Sequence, residues 1–528
     1  MKKYYIWGMS LVAALLMFTA SCTESNYLDI NDNPNYPAKA SCKNLLPSAQ
    51  ASLATMSGYQ GLLTGDFWQQ YVTQGNSTNQ YNTLATYTVT NGSGVPPCTV
   101  FWQYSYANAL EDLRLALIDA EETETWNYWL VAKVLSAYHF LLLTDSYGDI
   151  PFTQALNEEY KTPEFEDSKT VVYPGILAML DEAIAKKSDA LASEKQSAMG
   201  VNDFFFGGDI DSWVKFAKSL KLKMYLKDYA ANSDKIKALL NEGDLLKEDC
   251  AWTAWENSTD KSHPLYEMNI RQLNTTENIR ACHTFLEFLK ANNDPRVIYL
   301  YNPISASGYT VNDSPSVLFA NMQTAYEGLP FGDKSDVNTT DLPISKSSRM
   351  RQAYDDPLYL MNKSEALLMI AEAYARANDN VKAKEYYDDA VIAGFERWNL
   401  DELVDVDSYV NGAYAFDASN ALKSIGMQYW VTYAGANAYD GWMTRNRLGY
   451  PEIIPNVSVR KSYLYGENDL DDGYVLGCLV DPNGSALQPG QNPKRLMYPT
   501  NTTQYNSAAE EYVQKNGNDL TKKLWWQK

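Results

Sequence analysis

The amino-acid sequence predicts a mostly α-helical protein built on tetratricopeptide-like helical hairpins, with long loop-rich insertions and minor β structure. Three observations predict this fold. Apolar residues recur at helical spacing along most of the chain, one pair of predicted helices matches a tetratricopeptide pattern, and long polar stretches separate the helices.

The predicted helices follow from the spacing of apolar residues. Residues 126–145 are almost entirely apolar in their second half, which predicts a buried helix with His139 as a core residue. Asp211 and Ser212 offer an N-cap for another helix. Besides 126–145, we predict helices over residues 100–120, 173–187, 211–231, 233–246, 284–292, 357–377, 381–393, 420–432 and 503–516.

One pair of these helices has the tetratricopeptide pattern in both spacing and side-chain size. The matching residues are Leu367, Ile370, Ala371, Tyr374, Ala383, Tyr387 and Ala390. The small residues allow two antiparallel helices to approach closely, and the two tyrosines fill the space between them. A generic helical hairpin would pack in the same way, so we interpret this pair as scaffold.

The N-terminus has the three parts of an export signal. Lys2 and Lys3 are followed by an apolar run over residues 9–20, which suits a signal peptide and is shorter than the roughly 20 residues of a membrane-spanning helix. The run ends in small residues directly before Cys22, which resembles a bacterial lipobox. We predict that residues 1–21 are a signal peptide and that the Cys22 thiol carries lipid. An ordinary secretory signal that ends near a cysteine is the alternative.

Residues 22–40 are rich in Asn, Asp and Pro, which predicts an extended tether between the lipid and the globular part. No later segment has the length and apolarity of a transmembrane helix.

The formal net charge of −21 argues against nucleic-acid binding, because phosphates would be repelled. A hydrophobic content of 45% is typical of a globular protein.

The cysteines do not form a recognisable ligand set. After Cys22 there are five, and no CxxC pair occurs, which argues against zinc or redox chemistry. One or two disulfides stay possible in an oxidising compartment. The five are Cys42, Cys98, Cys250, Cys282 and Cys478.

The sequence carries no signature of catalysis. It contains three histidines and no HExxH, Walker, GxGxxG or GxSxG motif. Carboxylates are abundant, but context sets no pair apart, so we predict no catalytic residues, no cofactor and no metal ligands. A structural calcium ion among the acidic loops stays open. A surface glycoside hydrolase is the alternative, because two carboxylates at a suitable distance cannot be recognised from sequence.

Aromatic side chains are the most abundant candidates for binding, with 39 Tyr and 13 Trp. Their faces stack on the C–H surfaces of sugar rings and serve peptide or protein partners equally well. The loop-borne aromatic residues are the predicted ligand-binding positions, although packing beneath a loop would explain each of them as well. These residues are Trp252, Trp255, Tyr301, Tyr309 and Tyr326.

Several segments together resemble one family. They run in order along the chain: Asp29-Ile-Asn-Asp-Asn-Pro34, Thr144-Asp-Ser-Tyr-Gly-Asp-Ile-Pro-Phe152, Asn202 to Asp209, Asn293-Asp-Pro-Arg296, Glu365 to Tyr374, Arg447-Leu-Gly-Tyr-Pro451, Arg495-Leu-Met-Tyr-Pro499 and Leu524-Trp-Trp526. With the lipobox, they resemble the SusD/RagB outer-membrane lipoproteins of Bacteroidetes, in particular the SusD-like subgroup. Asn446 and Gln527 depart from the family's usual residues.

The resemblance implies a single SusD-like helical domain over residues 41–528, built on four tetratricopeptide-like hairpins. It implies a lipoprotein anchored in the outer membrane, with an extracellular face, that binds an oligosaccharide or peptide nutrient. Its implied partner is a SusC-like TonB-dependent transporter, over which it acts as a lid. A helical-repeat scaffold that binds only protein is the remaining alternative.

Overall fold

The computed structural model describes residues 40–75, 80–92, 96–274, 278–332, 347–455, 474–482 and 484–528. Residues Cys42–Lys528 form one compact unit, and Met1–Ser41 are a separate unit. The predicted signal peptide, the lipidation residue Cys22 and nearly all of the predicted tether therefore lie outside the described residues.

Helices dominate the described residues, as the apolar spacing predicts. In chain order the α-helices are α1 (Cys42–Thr55), α2 (Leu62–Trp68), α3 (Asn82–Ala85), α4 (Cys98–Gln103), α5 (Glu111–Glu122), α6 (Trp126–Tyr147), α7 (Tyr173–Ala185), α8 (Lys187–Gln196), α9 (Ile210–Leu226), α10 (Tyr229–Glu242), α11 (Pro264–Tyr266), α12 (His283–Ala291), α13 (Val297–Leu300), α14 (Pro315–Ala320), α15 (Met322–Ala325), α16 (Lys363–Arg376), α17 (Asn380–Glu396), α18 (Val406–Ser408), α19 (Ala421–Tyr433), α20 (Ala438–Leu448), α21 (Thr500–Tyr505) and α22 (Ser507–Asn516). Wider π-helical turns occur at Met56–Gly61, Tyr104–Leu110, Ser168–Val172, Glu267–Gln272 and Tyr409–Ala413, and 3-10 turns at Gly200–Asn202, Ser305–Ser307, Leu400–Glu402 and Ala418–Asn420.

The strands described are short and form three two-stranded sheets. They are β1 (Val72–Gln74), β2 (Cys250–Trp252), β3 (Ile279–Ala281), β4 (Leu358–Met361), β5 (Ile453–Ile454) and β6 (Leu479–Val480). β1 pairs antiparallel with β3, β2 antiparallel with β4, and β5 parallel with β6. The predicted class, mostly helical with minor β structure, is confirmed.

Two local predictions are wrong. The helix predicted over residues 357–377 begins only at Lys363, because the apolar run before it is strand β4. The predicted N-cap at Asp211 lies inside α9. Asp209 caps that helix, since its carboxylate accepts the backbone N–H groups of Asp211 and Ser212.

The predicted tetratricopeptide pair is helices α16 and α17, which pack closely against each other. Ala371 and Ala383 are fully buried, and Tyr387 is 2% exposed, so the small and large residues take the predicted places. Ser364 Oγ on α16 donates to the carbonyl of Ala390 on α17 at 2.7 Å. Asn378 lies in the turn with a φ of 60°, a backbone conformation that asparagine adopts readily.

Helix α6 is buried around its circumference, as its composition predicts. It packs against α5, α7 and α8. His139 is 1% exposed, and burial lowers the pKa of its imidazole to about 3, so it is a neutral core residue. This confirms the structural interpretation of His139.

Helices α2 and α20 touch at the backbone, although they lie far apart in the chain. A Cβ placed on Gly65 of α2 would lie 2.1 Å from the carbonyl carbon of Ala438 in α20. Only glycine fits at such a separation. Helix α2, near the start of the compact unit, is therefore packed directly against one of its late helices.

The helical core contains buried ion pairs. Glu372 of α16 is fully buried and accepts from Arg447 Nη2 at 2.7 Å and from Arg376 Nε at 2.8 Å. Burial opposes ionisation of this carboxyl, but the Arg447 guanidinium outweighs it and lowers the pKa of Glu372. Asp294 and Arg296 form a second buried ion pair, at 2.6 Å.

None of the five cysteines within the described residues forms a disulfide. The one or two disulfides that the sequence left open are therefore not formed among these five residues. In the part of the chain that the structure describes, the helices also lack the combination of length and apolarity that crossing a bilayer requires.

Candidate functional site

A cavity of about 270 Å³ opens beside the ends of α13 and α17, where strand β4 begins. Tyr299 lies in α13, the segment from Met350 to Pro357 leads into β4, and Arg397 and Trp398 follow the last residue of α17. We call it the Trp398 cavity. Its aromatic and charged lining residues are His263, Tyr299, Arg351, Asp355, Asp356, Tyr359, Arg397 and Trp398.

Two aromatic rings and two guanidinium groups form a layered arrangement in this cavity. The rings of Tyr299 and Trp398 have centroids 5.9 Å apart and planes within 11° of parallel. Arg351 lies over the Tyr299 ring, 5.3 Å from guanidinium carbon to centroid, and Arg397 lies over the Trp398 ring at 4.0 Å. Cation–π attraction of this kind holds the two half-buried rings in place.

Arg397 is fixed by the loop that follows α19. Its guanidinium donates to the carbonyl oxygens of Thr432 at 3.1 Å and of Ala434 at 3.0 Å, and also to that of Gly435. Gly435 has a φ of 63°, and a Cβ there would lie 2.8 Å from Leu300 Cδ2. Burial lowers the pKa of Arg397, and the nearby Tyr359 and Asp249 oppose this shift. The three carbonyls hold the guanidinium over the Trp398 ring.

Two adjacent carboxylates complete the polar lining. Asp355 is exposed, whereas Asp356 is half-buried and accepts the backbone N–H of Ala353 at 2.7 Å. Burial raises the pKa of Asp356 to about 6. Carboxylate oxygens and guanidinium N–H groups beside aromatic faces are the partners that sugar hydroxyls and C–H surfaces require.

The predicted residues Trp252 and Trp255 meet in a second aromatic feature, the Phe204 stack. The rings of Phe204 and Trp252 lie 4.2 Å apart, and those of Trp252 and Trp255 also lie 4.2 Å apart, with interplanar angles of 23° and 20°. All three side chains are half-buried. Neither indole N–H has an acceptor among the described residues.

The Phe204 stack and the Trp398 cavity are joined by a side chain and a strand pair. The Trp255 ring meets His263 edge to face at 5.8 Å, and His263 lines the cavity. Trp252 in β2 is paired with Leu358 of β4, directly after the cavity residues Asp356 and Pro357. The backbone of one small sheet therefore sets the position of both features.

The other three predicted binding residues lie elsewhere. Tyr301 is 2% exposed, and its hydroxyl donates to the carbonyl of Tyr71 at 2.7 Å. Tyr326 is fully buried, and burial raises the pKa of its hydroxyl. Tyr309 is half-buried after the 3-10 turn Ser305–Ser307 and is not among the residues that line the Trp398 cavity. The structure thus brings together only the two tryptophans of the five predicted residues.

Sequence reasoning did not single out Tyr299, Arg351, Arg397 or Trp398. Tyr299 begins the long polar stretch over residues 299–349, and Arg351 follows its end, so the two ends of one insertion meet at the cavity. The available signals were the Arg397-Trp398 dipeptide at a helix end and the Asp355-Asp356-Pro357 segment after the long insertion.

Comparison with known proteins gives a consistent result. The family model SusD-like_2, described as starch-binding associating with outer membrane, matches residues 34–463. No curated protein matches the chain.

Solved structures share the fold. A SusD homolog from Bacteroides uniformis has a TM-score of 0.72 at 19% identity, over 92% of this chain and 99% of its own. A SusD/RagB family protein from Bacteroides thetaiotaomicron has a TM-score of 0.69 at 20% identity, over 92% and 99%. A protein described as chitin-binding has a TM-score of 0.66 at 21% identity, over 92% and 100%.

Proposed function

Because the chain belongs to the SusD-like family of starch-binding proteins that associate with the outer membrane, we propose that it is a non-enzymatic lipoprotein that captures oligosaccharides at the cell surface. The Trp398 cavity is the proposed binding site. The supporting observation is the near-parallel pair of Tyr299 and Trp398, backed by Arg351 and Arg397 and flanked by two carboxylates.

This lining suits a carbohydrate chemically. A sugar ring offers an apolar C–H face that packs on an aromatic ring, while its hydroxyls both donate and accept hydrogen bonds. Asp355 accepts such bonds, and Arg351 donates them. The Phe204 stack, which adjoins the cavity through His263, offers a further aromatic surface for a longer chain.

The first ligands to test come from the comparisons. The family description names starch, and one structural neighbour is described as chitin-binding. We therefore propose α-glucan and chitin oligosaccharides as the leading ligand classes, with peptides as the second class that an aromatic cavity accommodates.

The proposed route onward is through a SusC-like TonB-dependent transporter, since this chain has no nucleotide-binding motif that could supply energy. The lipid on Cys22 would hold the protein in the outer membrane on its extracellular face, beside that transporter. Support comes from the lipobox and from the family's association with the outer membrane. Co-purification of a TonB-dependent transporter with the tagged protein from native membranes tests this partnership.

Isothermal titration of the purified full chain against starch, chitin and other glycan oligosaccharides, with a peptide panel alongside, tests the binding function. We expect saturable binding of at least one glycan class and a marked loss of affinity in Tyr299→Ala. Trp126→Ala, which removes a half-buried tryptophan outside the cavity, is the matched control and should bind normally.

The same samples separate the two alternatives. Chromatography of the glycans after long incubation should show unchanged chain lengths. Shortened products that disappear in Asp355→Asn or Asp356→Asn would establish a hydrolase instead. Absence of binding across the glycan and peptide panels, with a captured protein partner, would favour the repeat scaffold.

A further inference from the structure

Three potential metal ligands converge at the start of α12. His283 and Glu287 are four residues apart on this helix and therefore lie on one face, one turn above the other. Glu327 comes from the segment that follows α15. One ligand atom from each of the three side chains lies within 4.8 Å of the other two.

The backbone around this cluster is held by hydrogen bonds. His283 N donates to the carbonyl of Leu329 at 2.9 Å, and Glu327 N donates to Ser348 Oγ at 3.2 Å. Gly328 lies between them, and a Cβ at this position would be 2.7 Å from the Cα of His283. The segment that carries Glu327 is therefore pressed against the helix that carries the other two ligands.

The chemistry and burial of the three side chains suit coordination. His283 is fully buried, and imidazole nitrogen is a common metal ligand. Glu287 and Glu327 are half-buried and bring two carboxylates to the same place. Bringing two carboxylates together at a half-buried site favours an added cation.

Lys290 supplies part of that positive charge. Its Nζ contacts Glu287 Oε1 at 2.8 Å and the carbonyl of Tyr326 at 3.2 Å. It therefore fixes the position of the Glu287 carboxylate on α12. The same ammonium draws the Tyr326–Glu327 backbone towards α12.

We propose that His283, Glu287 and Glu327 bind a divalent transition-metal ion, with Zn²⁺ the best match. One imidazole nitrogen with two carboxylate oxygens is a donor set that zinc accepts, and water completes the tetrahedron. Zinc bonds of about 2.0–2.1 Å place the ligand atoms roughly 3.3 Å apart, so the three side chains would draw closer than their present spacing when the ion binds. The half-buried glutamates leave the ion a path from solvent.

The ion would have a structural role. It would fasten the segment of Glu327 to α12 through side chains, in addition to the backbone hydrogen bonds already present. This proposal is independent of glycan binding, because none of its three ligands lines the Trp398 cavity.

Titration calorimetry of the chelator-stripped full chain with a zinc salt tests the site. We expect one equivalent of Zn²⁺ to bind. Glu327→Gln and Glu287→Gln should each weaken zinc binding by at least roughly 10–100-fold, which is the loss caused by removing a residue that only hydrogen-bonds to a metal ligand. Glu396→Gln, which changes an exposed carboxylate paired with Lys363, is the control and should bind as tightly as the unaltered chain.

A cobalt-loaded sample gives a second readout. Co²⁺ at a four-coordinate nitrogen and oxygen site gives visible absorption, which should appear with the unaltered chain and be lost in the glutamate variants. Circular dichroism checks that each variant folds. If Glu327→Gln does not fold, the zinc affinity of Glu287→Gln alone tests the proposal. Absence of zinc binding, or unaltered binding in both folded variants, would overturn the proposal.

Discussion

Tyr299 and Trp398 lie with their rings 5.9 Å apart and 11° from parallel, although one comes from a short helix and the other follows the end of α17. Each ring is covered by a guanidinium on one side, Arg351 for the tyrosine and Arg397 for the tryptophan. Three backbone carbonyls hold the Arg397 guanidinium in position, and such preorganisation favours ligand binding because less conformational entropy is lost.

Removing the Trp398 ring should weaken glycan binding strongly. Trp398→Ala is expected to reduce the binding free energy by about 2 kcal/mol, or roughly thirtyfold in Kd, the size typical of a buried aromatic anchor. Trp398→Phe, which keeps an aromatic face, should retain part of the affinity. Titration calorimetry with the best ligand of the panel measures both, and equal affinities for the alanine variant and the unaltered chain would contradict the assignment of the cavity.

Asp356 should make stability depend on pH. Its pKa is raised by burial from 3.8 to about 6, so the folded state holds this proton more tightly than the unfolded state. The stabilisation is present below the unfolded pKa and is lost as the pH rises through about 6. Asp356→Asn stays neutral and can still accept the Ala353 N–H.

The variant should therefore gain stability relative to the unaltered chain between pH 5 and pH 7.5, by about 1.4 kcal/mol in total. Urea denaturation at several pH values gives the difference in the free energy of unfolding. A difference that does not change with pH would show that Asp356 is not the responsible group.

Gly435 should be sensitive to substitution for two reasons. An alanine there adopts a left-handed conformation, at a cost of about 1–2 kcal/mol, and its Cβ meets Leu300 and Arg397. Gly243→Ala is the matched control, because its φ of 68° carries the same backbone strain while nothing lies within 4 Å of the new Cβ.

Thermal and urea unfolding should therefore show Gly435→Ala to be more destabilising than Gly243→Ala, by a further ~1–3 kcal/mol of overpacking. Glycan affinity should fall only in Gly435→Ala, since the clash displaces the guanidinium behind Trp398. Equal stability losses in the two variants would mean that the loop yields without disturbing Arg397.

Loss of the buried Glu372 carboxylate should lower the free energy of unfolding far more than loss of an exposed carboxylate. Glu372→Gln leaves Arg447 and Arg376 in the core without their counter-charge, which is expected to cost about 3–5 kcal/mol in the free energy of unfolding. Glu396→Gln, which breaks the exposed pair with Lys363, should cost less than about 1 kcal/mol. Urea denaturation compares them, and a small effect for Glu372→Gln would mean that water reaches the remaining guanidinium groups.

Cys22→Ala should release the protein from the membrane fraction. The prediction rests on the lipobox before this residue and on the need for acyl chains to anchor a protein that has no other predicted membrane segment. Ultracentrifugation followed by immunoblotting of pellet and supernatant measures the distribution. Continued sedimentation of the variant with membranes would point to a different attachment.

The helical scaffold could be predicted because periodic apolar residues report directly on helices. Residues 126–145 and the α16/α17 pair are clear examples. Strand β4 was missed because Leu358–Met361 is a short apolar run continuous with the next helix, and spacing alone cannot separate a buried strand from a helix in so few residues.

The site was only partly predictable. Trp252 and Trp255 share one strand and the turn after it, so their proximity is local. Tyr299 and Trp398 meet only because two helix ends and the approach to β4 converge, which no spacing reports. Tyr301, two residues after Tyr299, instead lies inside the core, because its hydroxyl is bonded to the Tyr71 carbonyl.

The contact of Gly65 with Ala438 also bears on the order of assembly. During synthesis from the N-terminus, the residues of α2 are made early. The helix against which α2 packs, α20, is not available until residues 438–448 have been synthesised. Contacts between such distant residues slow folding, because a large loop must close before they form. The face of α2 that packs on α20 therefore lacks its partner until nearly the whole chain is available, whereas α1 packs on the much earlier helix α5.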